Sequence, residues 1–270
     1  MPGGFSGGRR GGKIGGFAII AIIAALLLRI DPTQILSLLG DGTAVMPPAR
    51  SSPARPGATP ADEQGQFAAT ILASTEDAWN PIFASAGSRY QPPVMVLFDE
   101  GVESACGFNS SATGPFYCPG DSQVYLDLSF FRQLAQLGAP GDFATAYVIA
   151  HEVGHHIQNL VGTEEQVRAA RGRMGQADGN ALSVRVELQA DCYSGIWANH
   201  VSDQRDFLDS GDIAEGLQAA AAIGDDRLQQ RSGGRVRPES FTHGTSAQRQ
   251  EWFTRGLRSG AFDSCDTFST

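Results

Sequence analysis

The stretch that decides the fold is FATAYVIAHEVGHHIQNLV, residues 143–161, which places His151, Glu152 and His155 in an H-E-x-x-H pattern. Its apolar residues are spread as on a buried helix, and Gly162 is a suitable end for that helix. Residues four apart lie on one face of a helix, so both imidazoles can reach a single metal ion. Two neutral nitrogen ligands with open coordination positions are typical of a zinc site.

Glu152 follows the first histidine directly, which would place its carboxylate beside the metal, where a water molecule binds. We therefore predict one zinc ion that activates this water and polarises a substrate carbonyl, with Glu152 as the general base. Two other interpretations of the motif are a core helix that carries two histidines and one half of a di-iron site. The di-iron site needs a second E-x-x-H on another helix, and the sequence contains none.

A second motif supplies the third ligand that a two-histidine zinc site lacks. The stretch VELQADCYSGIWANH, residues 186–200, places Glu187 and Asp191 four residues apart on a substantially apolar helix, where buried acids need partners. We predict that Glu187 is the third zinc ligand and that Asp191 accepts a hydrogen bond that orients a ligand histidine. The alternative is an ordinary solvated acidic face.

Other completions of the site fit less well. Three further residues have suitable chemistry for a third ligand: His200, His243 and Cys192. The longer pattern H-E-x-x-H-x-x-G-x-x-H fails, since Gln158 and Val161 occupy the positions of its glycine and its third histidine. His156 points about 100° away from its neighbour His155 on the helix, so we place it behind the ligands or at the surface.

The chain has 270 residues and a formal net charge of −9, with a pI of about 5.0. This length suits one well-buried domain of zincin size together with appendages. Four basic residues and no acidic ones lie within the first thirty positions, so the remainder is more acidic than the whole. An acidic body argues against a nucleic-acid partner.

The N-terminal part is predicted to attach the chain to a membrane. We assign residues 1–13 as a basic, Gly-rich cytoplasmic tail, 14–30 as a transmembrane signal anchor and 31–66 as a flexible linker. The apolar run is short for a span, and a cleaved signal peptide or a buried soluble helix are the alternatives. Basic residues ahead of it predict a single-pass cell-membrane protein whose folded domain, residues 67–270, lies outside the cytoplasm.

The folded domain is expected to be α+β and mostly helical, of zincin type with a small sheet. Strands are predicted over 94–98 and 123–128. Zinc peptidases commonly align an extended substrate beside an edge strand. We assign Val124–Leu128 as that strand because it precedes the helix over 143–161 that carries the H-E-x-x-H motif, called the metal helix below.

Helices other than the metal helix are predicted over 67–86, 129–137, 181–201 and 212–229, with a last helix capped by Thr245 or Ser246. Pro81 should kink or break the first of these near Asn80. Asp212 is the expected N-cap of the helix that it begins. A polar stretch over 162–180 separates the metal helix from the helix that carries Glu187.

Two residues near the C-terminus are candidates for a part in the site. His243 lies on a loop ahead of the last helix, where it could donate a hydrogen bond to the oxyanion that forms when water adds to a carbonyl. A loop-structuring histidine is the alternative. Arg249 is a candidate for pairing with an acid of the site.

The four cysteines do not form C-x-x-C pairs, which weakens a structural zinc interpretation and leaves disulfides as the natural one in an exported domain. Four cysteines allow three connectivities. We prefer Cys106 with Cys118, which bracket a loop of turn-forming residues, and Cys192 with Cys265, which would tie the tail to the Glu187 helix. Free thiols are the alternative if the domain is not exported.

Together these residues resemble the neutral zinc metallopeptidase family of bacteria. The resemblance covers most of the chain and is carried by ACGFNSSATGPFYCPGDSQVYLDLSFF, IAHEVGHHIQNLVG, VELQADCYSGIWAN and FTHGTSAQRQEWF. The arrangement is also similar to the gluzincin class, in which a later glutamate completes the motif. The resemblance implies zinc ligands, a base and an acid that hydrogen-bonds a ligand at matching positions: His151, His155, Glu187, Glu152 and Asp191. The resemblance supports a role for His243 in the site less directly.

The sequence therefore predicts a membrane-anchored zinc endopeptidase that acts on a peptide or protein substrate. The alternative is a membrane-anchored binding or scaffold protein whose zinc site is structural or vestigial. A fourth protein ligand, such as His243 or Cys192, would favour the alternative, because structural zinc sites are usually filled by four protein ligands. The oligomeric state is left open.

Overall fold

A computed structural model of the chain describes residues 62–110, 113–202 and 207–269, all within one unit, Met46–Thr270. The predicted tail, the predicted membrane anchor and all but the end of the predicted linker lie outside these residues. Among the described residues, no helix combines the length and the apolar character that a membrane span requires.

The described residues form a mostly helical α+β fold, as predicted. The α-helices are α1 (Glu63–Ser85), α2 (Phe130–Gln136), α3 (Asp142–Leu160), α4 (Thr163–Arg171), α5 (Gln176–Ser202), α6 (Asp212–Ala222), α7 (Asp225–Arg231) and α8 (Ser246–Ser259). The strands are β1 (Val94–Phe98), β2 (Gly101–Ser104), β3 (Gly107–Ser110), β4 (Phe116–Cys118) and β5 (Gln123–Asp127). Short 3-10 helices cover Pro238–Ser240 and Phe262–Cys265.

The strands form a three-stranded sheet in the order β1-β5-β4 and a separate two-stranded sheet of β2 and β3. Strand β5 pairs in parallel with β1 and antiparallel with β4, so it lies in the middle of its sheet. The prediction that Val124–Leu128 is an edge strand is therefore wrong. Alternation along the chain could not reveal this position, because the side chains of Val124, Tyr125 and Leu126 are buried in succession.

Helix α1 begins at Glu63, four residues before the predicted start, with the Asp62 side chain accepting from the Gly65 N–H. The predicted break near Asn80 is wrong, because the helix continues through Pro81 to Ser85. The Phe83 ring contacts Trp79 one turn earlier and Tyr90 beyond the helix. Packing of this last turn against the core outweighs the hydrogen bond that proline removes.

Two predicted helix boundaries also differ. The polar stretch after the metal helix contains α4, whose Val167 is buried, and the start of α5. The predicted helix over 212–229 is two helices, α6 and α7, with Gly224 between them. A Cβ on Gly224 would lie 2.4 Å from the Ser246 nitrogen, so the chain passes too close to the start of α8 for a side chain at this position. Asp212 is not the N-cap; Gly211 takes that position.

Both predicted disulfides are present, Cys106–Cys118 and Cys192–Cys265. The segment between Cys106 and Cys118 is more ordered than the predicted loop, because it contains β3 and β4. The second disulfide joins α5 to the final 3-10 helix, so it ties the C-terminal tail to the Glu187 helix as predicted.

Helices α3, α5 and α8 form the centre of the domain, and small residues let their backbones approach. A Cβ on Gly154 of α3 would lie 2.9 Å from the Ala190 carbonyl oxygen of α5. A Cβ on Gly256 of α8 would lie 1.9 Å from the Cys192 carbonyl oxygen of α5. These two close contacts hold α3 and the last turn of α8 against α5.

Candidate metal centre

The structure brings His151, His155 and Glu187 together at the crossing of α3 and α5. The His151 Nε2 atom lies 3.2 Å from Glu187 Oε2, and the His155 Nε2 atom lies 3.6 Å from Glu187 Oε1. One ligand atom from each of the three residues lies within 4.8 Å of the other two. Two imidazole nitrogens and one carboxylate facing a common point are a suitable donor set for zinc, with a coordination position left for water.

The residues proposed as a fourth protein ligand do not complete this set. The Cys192 sulfur is bonded to Cys265 and is not available to a metal. His243 is not among the described residues whose ligand atoms lie within 4.8 Å of one another at this place, and its Nδ1 atom lies 3.2 Å from Asp225 Oδ1. The donor set in the described residues therefore has the open form that catalytic zinc sites share.

Asp191 orients His151, the first candidate ligand. Its Oδ1 atom lies 2.8 Å from His151 Nδ1, so it accepts a hydrogen bond there and leaves Nε2 to face Glu187. The Arg249 guanidinium donates to both Asp191 oxygens at 2.9 Å, and the Tyr147 hydroxyl donates to Oδ1. Arg249 thus pairs with an acid of the site, the partner for which the sequence made it a candidate.

The charged groups at the crossing of α3 and α5 shift one another's pKa values. Burial lowers the pKa of His151, but Asp191 and Glu187 outweigh it and raise that pKa from 6.5 to about 9. Burial raises the pKa of Glu187, yet the histidines around it hold its pKa well below the usual value. In the metal-free site a proton on His151 is therefore favoured between two carboxylates, which indicates a place built for a cation.

Gln158 orients His155, the second candidate ligand, a role that the sequence pattern did not predict. Its Oε1 atom lies 2.9 Å from His155 Nδ1, one helical turn along α3. The spacing of three residues from His155 was the available signal, because residues three apart on a helix are neighbours. Tyr147 was missed in the same way; it lies four residues before His151 on the same face.

Glu152 lies on α3 directly after His151 and is only 8% exposed. Its neighbour His156 is buried, not at the surface, since its Nε2 atom donates to the Gln91 carbonyl oxygen at 2.7 Å. The Tyr117 hydroxyl of β4 lies 3.1 Å from His156 Nδ1. His156 therefore fastens the metal helix to the edge strand β4.

His243 lies close enough to Glu187 for their charges to interact. Burial lowers its pKa, but Glu187 and Asp225 raise it above the usual value. Asp225 holds the loop in place, because its Oδ2 atom accepts from the backbone N–H groups of Thr242, His243 and Gly244. The residue is thus fixed near Glu187 by a buried acid at the start of α7.

Comparison with known proteins places nearly the whole chain in one family. The chain is 46% identical to "Uncharacterized protein YpfJ" of Escherichia coli (strain K12) over 258 residues, which is 95% of this chain and 87% of that protein. It is 43% identical to "Uncharacterized protein Rv2575" of Mycobacterium tuberculosis (strain ATCC 25618 / H37Rv) over 259 residues, 91% of this chain and 85% of the relative. No solved structure matches it. The family described as "Putative neutral zinc metallopeptidase" matches residues 1–268, and the chain belongs to this family.

Proposed function

We propose that the protein is a membrane-anchored zinc metallopeptidase that hydrolyses peptide bonds. The observation that carries this proposal is the convergence of His151 Nε2, His155 Nε2 and the Glu187 carboxylate, with a hydrogen-bond acceptor on the far nitrogen of each histidine. The family to which the chain belongs supports the same class of reaction. A zinc ion held by these ligands would activate a water molecule and polarise the substrate carbonyl.

The other roles in the proposed hydrolysis fall to side chains of the protein. Glu152 would accept the proton of the attacking water and pass it to the leaving amine. Asp191 and Gln158 keep the ligand imidazoles in one orientation. His243, whose Nδ1 atom lies 3.2 Å from Asp225 Oδ1, would donate a hydrogen bond to the oxyanion.

A membrane anchor over residues 14–30 and an outward-facing domain are part of the proposal. Two disulfides in the described residues support an oxidising compartment, because disulfides persist outside the reducing cytosol. The full chain should sediment with membranes and resist extraction by salt, while the chain without residues 1–30 should be released. Recovery of the full chain in the soluble fraction would contradict the membrane anchor, but it would not bear on the proposed metal site.

The enzyme proposal is tested by zinc content and by cleavage of an unbiased peptide library with the purified full chain. We expect one zinc per chain, cleavage that stops on chelation, and recovery when zinc alone is returned. A chain that binds one zinc and cleaves nothing in the library would contradict the peptidase and favour a binding or scaffold protein with a structural zinc site. A folded chain that binds no zinc would contradict both.

A further inference from the structure

Two buried glutamines connect the second ligand histidine to the C-terminal tail. The Gln158 Oε1 atom lies 2.9 Å from His155 Nδ1. The Gln158 amide nitrogen donates to the Val186 carbonyl oxygen at 2.7 Å and to Gln189 Oε1 at 3.1 Å. The Gln189 amide nitrogen donates in turn to the Cys265 carbonyl oxygen at 3.1 Å. Gln158 has no exposed surface and Gln189 is 6% exposed, so water cannot replace these partners freely.

The backbone carbonyls at the end of this chain of hydrogen bonds fix its direction. A carbonyl oxygen only accepts, so the NH₂ group of Gln158 must face Val186 and the NH₂ group of Gln189 must face Cys265. Flipping either amide would bring two oxygens together in a buried place. The oxygen of Gln158 therefore faces His155 Nδ1, and this nitrogen must carry the hydrogen.

We propose that Gln158 and Gln189 form a relay that selects the tautomer of His155. The relay sets the hydrogen on Nδ1 and leaves the Nε2 lone pair facing Glu187, where the proposed metal binds. His151 is oriented by a buried carboxylate, whereas His155 is oriented by two neutral amides. Both glutamines are positioning residues, and this role rests on the proposed zinc site.

The last acceptor of the relay is fixed by a covalent bond. Cys265 is joined to Cys192 on α5, and Gln189 lies one helical turn before Cys192 on the same helix. The Thr267 hydroxyl also donates to the Arg185 carbonyl oxygen at 2.7 Å, so the tail is held to α5 on both sides of Gln189. The disulfide thereby keeps the Cys265 carbonyl where the Gln189 amide needs it.

The test uses the full chain with Gln158→Leu, Gln189→Leu, the double variant, and Gln250→Leu as a matched control. The Gln250 amide on α8 also donates to a backbone carbonyl, that of Leu217, but it has no link to His155. Thermal unfolding establishes that each variant is folded. The first readout is the tautomer of His155 in the metal-free protein, from the nitrogen chemical shifts of its neutral imidazole. The second is zinc affinity, by competition with a chelating dye.

We expect the wild type and Gln250→Leu to carry the hydrogen on Nδ1 of His155, and Gln158→Leu to shift it toward Nε2. Gln189→Leu should shift it less, because the Val186 carbonyl oxygen still accepts from the Gln158 amide. Zinc affinity should fall about 10- to 100-fold in Gln158→Leu, the usual loss when a partner of a ligand histidine is removed. In Gln189→Leu it should fall roughly 3- to 10-fold, as for one net hydrogen bond. The double variant should match Gln158→Leu alone, because Gln189 acts through Gln158.

Hydrogen on Nε2 of His155 in the metal-free wild type would overturn the relay. An unchanged tautomer in folded Gln158→Leu would overturn it as well, as would losses of zinc affinity that simply add in the double variant. The tautomer is measured without metal, so it tests the relay even if the wild-type chain binds no zinc. That last result would contradict the proposed function instead.

Discussion

Asp191 holds a full negative charge with no exposure to solvent, and its partners are a histidine, a tyrosine and an arginine. A buried charge of this kind is tolerated only when it is paired and hydrogen-bonded. The Arg249 guanidinium supplies both, since two of its nitrogens donate to the two oxygens of the carboxylate. Arg249 therefore stabilises the acid that orients His151.

Replacing Arg249 with alanine should destabilise the domain by about 3–5 kcal/mol, because it leaves Asp191 buried without its counter-charge. The destabilisation by Arg249→Lys should be smaller than that by Arg249→Ala but larger than zero. Lysine keeps the positive charge but loses the planar guanidinium that donates to both carboxylate oxygens. Denaturant unfolding of the metal-free chain measures both. Arg258→Ala, on an exposed position of the same helix, is the control. A loss in Arg249→Ala no larger than in the control would disprove the pairing argument.

The raised pKa of His151 predicts opposite effects of pH on metal binding and on metal-free stability. Zinc needs the neutral imidazole, so its affinity should rise about tenfold per pH unit between pH 6.5 and about 9. The same proton stabilises the metal-free fold, because the folded pKa exceeds the unfolded value. That contribution is complete below pH 6.5 and is lost as pH rises through about 9.

Zinc titrations and unfolding of the metal-free chain across this range measure both trends. The pKa values of Glu187 and Asp191 are lowered, so these carboxylates stay ionised and contribute no slope there. Zinc affinity that is flat with pH would contradict the placement of His151 between two carboxylates.

Much of the site could be predicted residue by residue, because spacing within one helix is a local property. The i, i+4 spacing paired His151 with His155 on α3 and Glu187 with Asp191 on α5. The two pairs were joined because a two-histidine zinc site needs a third ligand, and the structure brings His151, His155 and Glu187 together. The link between Gln158 and Gln189 was out of reach, because it depends on where α3 crosses α5. Nothing in a single helix specifies that crossing.

At the scale of elements, the crossing of α5 and α8 depends on two glycines that leave no room for a side chain. A Cβ on Gly195 would lie 2.1 Å from the Phe253 carbonyl oxygen, and a Cβ on Gly256 would lie 1.9 Å from the Cys192 carbonyl oxygen. Both contacts are backbone atoms of the facing helix, so neither can rotate away. The approach brings Arg249 on α8 to Asp191 on α5.

Gly256→Ala should therefore force α8 away from α5, at a cost of about 1–3 kcal/mol or more. Zinc affinity should fall with it, because Arg249 is displaced from Asp191. Gly172→Ala is the control: this glycine has φ −61° at the end of α4, and a Cβ there would meet its first neighbour at 3.7 Å. Equal stability of the two variants would show that the helices have room to adjust.

Elements were predicted well where packing agreed with local preference and poorly where it did not. The strands β1 and β5 and the capping of α8 by Thr245 are confirmed. The break at Pro81 was not found, because the aromatic contacts of Phe83 hold the last turn of α1. The middle position of β5 could not be predicted, since pairing on both sides of a strand involves distant residues.

At the scale of the whole molecule, the two disulfides close loops of very different length. Cys106 and Cys118 are 12 residues apart in sequence, whereas Cys192 and Cys265 are 73 apart. A cross-link that closes a longer loop removes more entropy from the unfolded chain. The Cys192–Cys265 disulfide therefore also restrains the tail that completes the core beside α5.

Replacing Cys192 and Cys265 with alanine should cost about 1–2 kcal/mol more than replacing Cys106 and Cys118, from loop length alone. Denaturant unfolding of the two double variants provides the comparison, each serving as control for the other. If the local pair proves the more stabilising, then the 106–118 segment contributes more to the fold than loop closure explains.

The central claim is that Glu152 is the base of a zinc peptidase, and one comparison tests it most directly. The full chain and its Glu152→Gln variant are assayed for zinc per chain and for kcat/KM on a peptide taken from the library screen. Glu165→Gln, exposed on α4, is the control. We predict one zinc in all three proteins, with turnover reduced about 10²- to 10⁴-fold only in Glu152→Gln. Equal turnover in Glu152→Gln and the wild type would contradict the account.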